Sequence, residues 1–191
     1  MEKCSGMSIS PVKRLILETM WMFGKPTRAT EIAKRAGLAF PSVMMHVIGL
    51  TRMGYASIPE KGLYVITANG KEVLGLPEVT NQKAGEILGY QPMEKSFHFY
   101  ADVGKPLNIY ATSLGDFCDK IVKVDPSSVE FHIARGDFEA WFNGLGDAEL
   151  ARKILLVREE KIVGEDLQRR FLEIVRNRCE ELTALRNNRQ V

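Results

Sequence analysis

The stretch that decides the fold is ATEIAKRAGLAFPSVMMHVIGLTRMGY, residues 29–55. It holds two amphipathic segments separated by a glycine. In the first, Ile32, Ala33 and Ala36 lie on one helical face. Gly37 is the residue type that ends helices in a left-handed conformation, and Thr27 or Thr30 is the expected cap at the start. In the second, residues 41–53, Val43, Val47 and Leu50 recur at the spacing of one buried face. Pro41 suits its first turn and Gly54 ends it. The short turn containing Gly37 sets the two helices at a steep angle.

Working outward, residues 12–23 (VKRLILETMWMF) form a helix with Pro11 in its first turn. Leu15, Met20 and Phe23 fall near one face, Ile16 and Trp21 widen it, and Gly24-Lys25-Pro26 stop it. Downstream, residues 55–57 and 62–66 read as short strands around a turn at Pro59-Glu60-Lys61-Gly62. Thr67 then opens ANGKEVLG, which Pro77 ends. Residues 77–91 read as a connecting helix or linker, with Thr80 capping NQKAGEILG. In residues 92–191, SFHFYA and LNIYA flank a turn at 102–106 and suggest a hairpin. Helix starts follow at Ser113, with Asp116 three residues on, at Asp125-Pro126, at Gly136-Asp137 and at Asp147. Glu165 and Asp166 open a long helix from about residue 165 to about Arg186, with acids where the helix dipole favours them, and NNRQV should fray. The expected fold class is mainly α with small β hairpins.

The order helix, helix, helix, hairpin, short helix is that of a winged helix-turn-helix domain. Residues 11–76 resemble the archaeal and bacterial winged-helix regulators in ATEIAKRAG, in LAFPSVMMHVIGLTRMGY and in LYVITANGKEVLG. Residues 92–191 resemble, in SFHFY, SLGDFCDKI and SSVEFHIARGDFEAWFNGLGDAELARKI, the second half of a group of small archaeal proteins that also carry a winged helix in front. That second half is a mostly helical domain family of unknown function. The resemblance implies a common two-domain architecture and supplies no activity.

Hydrophobic residues make up 45% and charged residues 26%, which suits a globular protein able to bury a core. With 26 Lys/Arg against 24 Asp/Glu the net charge is +2, so the chain is neither a polybasic coat nor an acidic tail protein. The total hides an asymmetry. Residues 1–75 hold 10 basic and 5 acidic residues, a balance of +5, and the remainder is at −3. Two modules with different tasks fit that split. No apolar run is long enough to span a bilayer, and MEKCSGMSISP has no apolar signal core. Cys4, Cys118 and Cys179 are an odd, sparse set without a CxxC pair, which points to a reducing cytoplasm rather than disulfides or zinc.

If Val43, Val47 and Leu50 turn inward, the second helix of the turn motif presents Ser42, Met44, Met45, His46, Ile48, Gly49 and Arg52. Of these only Ser42, His46 and Arg52 are conventional partners for base edges. The backbone of duplex DNA could instead be held by Lys13, Arg14, Lys25, Arg28, Lys34, Arg35, Arg52 and Lys61. The first expectation is therefore a DNA-binding transcriptional regulator that relies on phosphate contacts. The alternative is a non-enzymatic interaction protein whose Met44, Met45 and Ile48 face docks on a protein, ribonucleoprotein or ribosome. The wing carries one lysine beside Glu60 and reads as an ordinary hairpin loop.

Nothing in the chain reads as catalytic. HExxH, P-loop and GxGxxG patterns are absent, and no metal or cofactor is expected. His98 and His132 could meet, but structural histidines at a core edge are the simpler reading. Cys118 reads as buried and inert, with Asp116 and Asp119 raising its pKa. Phe138 and Trp141 share a helical face that Leu145 extends, as core residues do. The last helix carries Leu167, Phe171, Ile174, Val175, Cys179, Leu182 and Leu185 as a stripe. That stripe either closes the second domain or pairs with its twin in a homodimer, so Phe171, Ile174 and Leu182 join the candidate interface residues.

Overall fold

The computed structural model describes residues 9–187. Cys4 and residues 188–191 of the stretch expected to fray lie outside the described residues. Two units make up the chain, residues 1–78 and 79–191. Among the described residues the fold is mainly helical, at 63%, with two small antiparallel sheets.

The first unit begins with α1 (Pro11–Phe23), capped by the Ser10 hydroxyl and closed by Gly24 at φ 65°. Its buried residues are Ile16, Leu17, Thr19, Met20, Trp21 and Met22, while Leu15 is 40% exposed and Phe23 is half-buried. The inward face is thus centred on Ile16 to Met20, not on Leu15 and Phe23. Contacts of α1 with three helices and a strand bury more than a narrow stripe.

A two-residue strand, β1 (Thr27–Arg28), precedes α2 (Ala29–Ala36), where the sequence pattern gives no strand. Two residues carry no alternation signal, and the partner strand β3 (Leu63–Ile66) lies far along the chain. Thr27 is buried and donates its hydroxyl to the Lys25 carbonyl, so it does not cap α2. Thr30 lies inside the helix and does not cap it either. The start of α2 is instead secured by Glu31, whose carboxylate accepts the Arg28 N–H at 3.1 Å. After Gly37 comes α3 (Phe40–Arg52), with Val43, Val47 and Leu50 wholly buried. β2 (Ala56–Ser57) and β1 flank β3 in the order β1-β3-β2. Thr67 caps α4 (Ala68–Val73) through the Gly70 N–H and donates to the Gly54 carbonyl. Gly70 is required there, because a Cβ would collide with the Tyr55 carbonyl oxygen.

In the second unit α5 (Asn81–Ile87) is capped by Thr80 and buries Ala84 and Ile87 completely. It packs on α10 (Gly164–Asn187), so the expected connector is a core element. A hairpin of β4 (Phe97–Asp102) and β5 (Lys105–Ala111) follows. Then come α6 (Leu114–Ile121), α7 (Pro126–Arg135), α8 (Asp137–Leu145) and α9 (Ala148–Glu159). Ser113 caps α6, but Asp116 reaches back to the Thr112 N–H, one residue earlier than a capping box requires. Phe117 is the centre of an aromatic core: the rings of Phe97, Phe99, Phe138, Trp141, Phe142 and Phe171 lie 5.3 to 5.9 Å from it.

Charge is buried beside this core. Arg178 of α10 is 1% exposed and forks onto Asp147, with Nε to Oδ2 at 2.8 Å and Nη2 to Oδ1 at 2.9 Å. Its Nη1 donates to Glu149 and Glu181 at 2.8 Å each. Asp147 also caps α9 through the Leu150 N–H. Replacing Arg178 by Ala leaves the buried Asp147 carboxylate without its cation and should destabilise this unit by about 3–5 kcal/mol. Urea unfolding followed by circular dichroism measures this, and a loss below about 1 kcal/mol, roughly the value of an exposed pair, would contradict it.

Candidate nucleic-acid interface

The phase of α3 determines what it can offer. With Val43, Val47 and Leu50 inward, the stripe Pro41, Met45, Ile48 and Arg52 is the exposed one. Met45 is 63% exposed and Ile48 43%. Ser42, His46 and Gly49 lie half-buried on a flank, next to Lys13 of α1: the Lys13 chain runs beside Gly49, and its Nζ donates to the Met53 sulfur at 3.6 Å. Met44, expected on the outward face, is half-buried too. Arg52 is therefore the one polar donor on the most exposed stripe of this helix.

The other basic candidates spread over several elements. Arg28 stands opposite Leu63 in the sheet, and Lys61 lies in the β2–β3 turn two residues before Leu63. Both are exposed at the same end of the sheet. Lys34 and Arg35 sit exposed in the last turn of α2, and Lys25 is exposed just before β1. Arg14 is paired with Glu18 at 3.1 Å along α1. Among the described residues no carboxylate pairs with the side chain of Arg28, Arg52 or Lys61. Phe40, 48% exposed, and Ile58, 50% exposed in the wing turn, stand outside the apolar spacing of the sequence and add to the apolar surface of this unit.

Phe171, Ile174 and Leu182 are at most 2% exposed. They face α5, α6, α7 and α9, so they are core of the second unit rather than an open interface. The stripe that suggested pairing with a twin is covered within the unit.

His132 is 2% exposed and held from both sides. Its Nε2 accepts the Tyr100 N–H at 2.8 Å, which leaves the proton on Nδ1, facing Asp137 Oδ2 at 2.8 Å. Together with Ser128, whose hydroxyl donates to the Tyr100 carbonyl, it covers the edge of β4. With no free nitrogen, His132 has no capacity as a base or ligand. His98 is exposed and bonds Ser96 and the Met93 carbonyl instead. Cys118 and Cys179 are both free thiols. The Cys179 thiol, hydrogen-bonded to Cys118, lowers the Cys118 pKa against burial, so the expected rise does not occur. Asp119 does push upward, but more weakly. The Cys179 thiol is pushed well up by the same bond and by burial. Among the described residues no group of His, Cys, Asp and Glu is placed to hold a metal ion, and no helix is long and apolar enough to cross a membrane.

Comparison with family models, curated proteins and solved structures finds no match to this chain. The resemblance to winged-helix regulators therefore rests on the quoted motifs and the order of elements.

Burial lowers the His132 pKa below its usual 6.5, outweighing the pull of Asp137. The unfolded chain then takes up the proton first, so stability held above about pH 6.5 is lost as the pH falls below it. Urea midpoints should drop between about pH 7.5 and about pH 5.5, and the drop should shrink in His132→Gln. An identical drop in the variant would show that His132 is not the group responsible.

Proposed function

We propose that the first unit is a winged helix-turn-helix domain, and that the protein is a cytoplasmic, archaeal-type transcriptional regulator gripping double-stranded DNA mainly by its phosphates. The order α1, α2, turn, α3, β2–β3 hairpin supports the fold reading. One observation carries the function. Arg28 and Lys61 stand together at one end of the sheet, Arg52 ends the exposed stripe of α3, and among the described residues none of the three side chains has a carboxylate partner. Cations left without acids suit a polyanion, and phosphate contacts supply most of the affinity of such proteins. The stripe between them offers Met45 and Ile48 to thymine methyl groups and no hydrogen bond to guanine, so sequence preference is modest. The second unit serves dimerisation or sensing, and the protein works as a homodimer on paired half-sites.

The test is duplex binding by fluorescence anisotropy over a salt series. The wild type should bind near micromolar with a steep salt dependence. Changing Arg28, Lys34, Arg35 and Arg52 together to Ala should weaken binding sharply and reduce the log–log salt slope by about 0.9 for each phosphate that is no longer neutralised. Unchanged binding by the variant would defeat the proposal.

A second reading rests on the apolar surface formed by Phe40, Met45, Ile48 and Ile58, each at least 43% exposed. Such a surface suits a protein or ribonucleoprotein partner. Negligible duplex binding at physiological salt selects this reading, and Met45→Glu should then abolish the partner complex while the fold survives.

A further inference from the structure

The β4–β5 hairpin is irregular where it meets α7. Phe99 pairs with Ile109, but Tyr100 pairs with Pro106 and Asp102 with Lys105. The extra residues are absorbed by Asn108, which takes the left-handed conformation at φ 56°. Bulges of this kind bend a strand and re-aim its side chains, and they recur beside functional sites. Here the bend borders a cleft of about 320 Å³ between β4, the end of α7 and the start of α8. That volume is at the low end for small-molecule sites.

The cleft is lined by aromatic rings and one ion pair. Tyr100 and Phe131, both half-buried, contribute ring surface, and the Arg135 guanidinium lies 5.2 Å from the Phe131 centroid. Asp137 Oδ2 accepts from both His132 Nδ1 at 2.8 Å and Arg135 Nε at 3.2 Å. Since Tyr100 in turn fixes His132, the carboxylate is held by the backbone of β4 through the imidazole. Asp137 Oδ1 and the terminal nitrogens of Arg135 have no hydrogen bond among the described residues. They place an acceptor and a donor side by side, at zero net charge, next to aromatic surface.

We propose that this cleft binds a planar heterocycle with a lactam edge, an N–H beside a C=O, as in oxopurine and oxopyrimidine bases. The ring N–H donates to Asp137 Oδ1, the carbonyl accepts from an Arg135 terminal nitrogen, and the ring packs on the aromatic walls. The ligand is a free small molecule rather than a nucleic-acid strand. Arg135 is the one cation lining the cleft, so the cleft itself holds no row of basic side chains for a phosphate backbone. The site does not depend on the DNA-binding reading of the other unit.

Calorimetric titration of the full chain with guanosine and uridine tests it, against 1-methylguanosine and 3-methyluridine, whose edge N–H is blocked. At least one parent nucleoside should bind, and its methylated form should bind tenfold or more weakly. Arg135→Ala, a change at an exposed side chain, should weaken binding by about tenfold to a hundredfold with an unaltered melting curve. Equal binding of the methylated probes, no effect of Arg135→Ala, or no binding of either nucleoside at millimolar concentration overturns the proposal. A single-stranded oligouridylate that binds far more tightly than uridine overturns the assignment to a free ligand.

Discussion

The fork of Arg178 onto Asp147 constrains the second unit more than any other contact. A guanidinium at this depth is tolerable only with its donors satisfied, and Asp147, Glu149 and Glu181 satisfy them. The geometry of a bidentate pair admits little sliding, so α10 has one rotation and one axial position against the start of α9. In that position Leu167, Phe171, Ile174, Val175 and Leu182 all point inward. Phe171 then meets Phe138 with centroids 4.5 Å apart, and Phe138 stacks on Phe97 of the hairpin at 4.9 Å. The position of β4, and with it the cleft beside α7, follows through this chain of rings. A helix held only by an apolar stripe would leave that register looser.

The first unit follows a different logic. Among its described residues no charged side chain is buried, and its helices are phased by apolar side chains. The inward turn of Val43, Val47 and Leu50 forces Met45, Ile48 and Arg52 outward, since the two sets share one helical period. Its polar outer surface is basic where α2 meets the sheet, and apolar along α3 and at the wing turn.

His132 shows how a residue with chemical potential is put to structural use. Its two nitrogens join the edge of β4 to the first residue of α8, and burial keeps the ring neutral. The same arrangement holds Asp137 still, which is what a recognition carboxylate requires. A structural histidine and a preorganised binding edge are thus two consequences of one hydrogen-bonded chain.

Local features were legible because their physics is local. Thr67, Thr80, Ser113, Asp125 and Asp147 each cap a helix within three residues of themselves, and Gly24 and Gly37 end helices at positive φ. The apolar periods of α3 and α10 likewise declared their buried faces. Strand β1 was not legible, since two residues have no pattern and their pairing with β3 is decided across the chain. The cap of α2 by Glu31 lost to two nearby threonines for the same reason, one of them being drawn into the sheet. Along the chain the basic candidates were visible as residue types, but which of them share one end of a sheet was not. Nor could spacing reveal that Arg178 meets Asp147, or that His132 and Arg135 converge on Asp137 beside a bulged strand. Sequence by itself determined where the helices lie, most of their caps and the inward faces of α3 and α10, because those depend on neighbours within a turn or two. Only the tertiary structure decided which charges are buried together and where a cleft opens, because both depend on residues that the chain brings together from far apart.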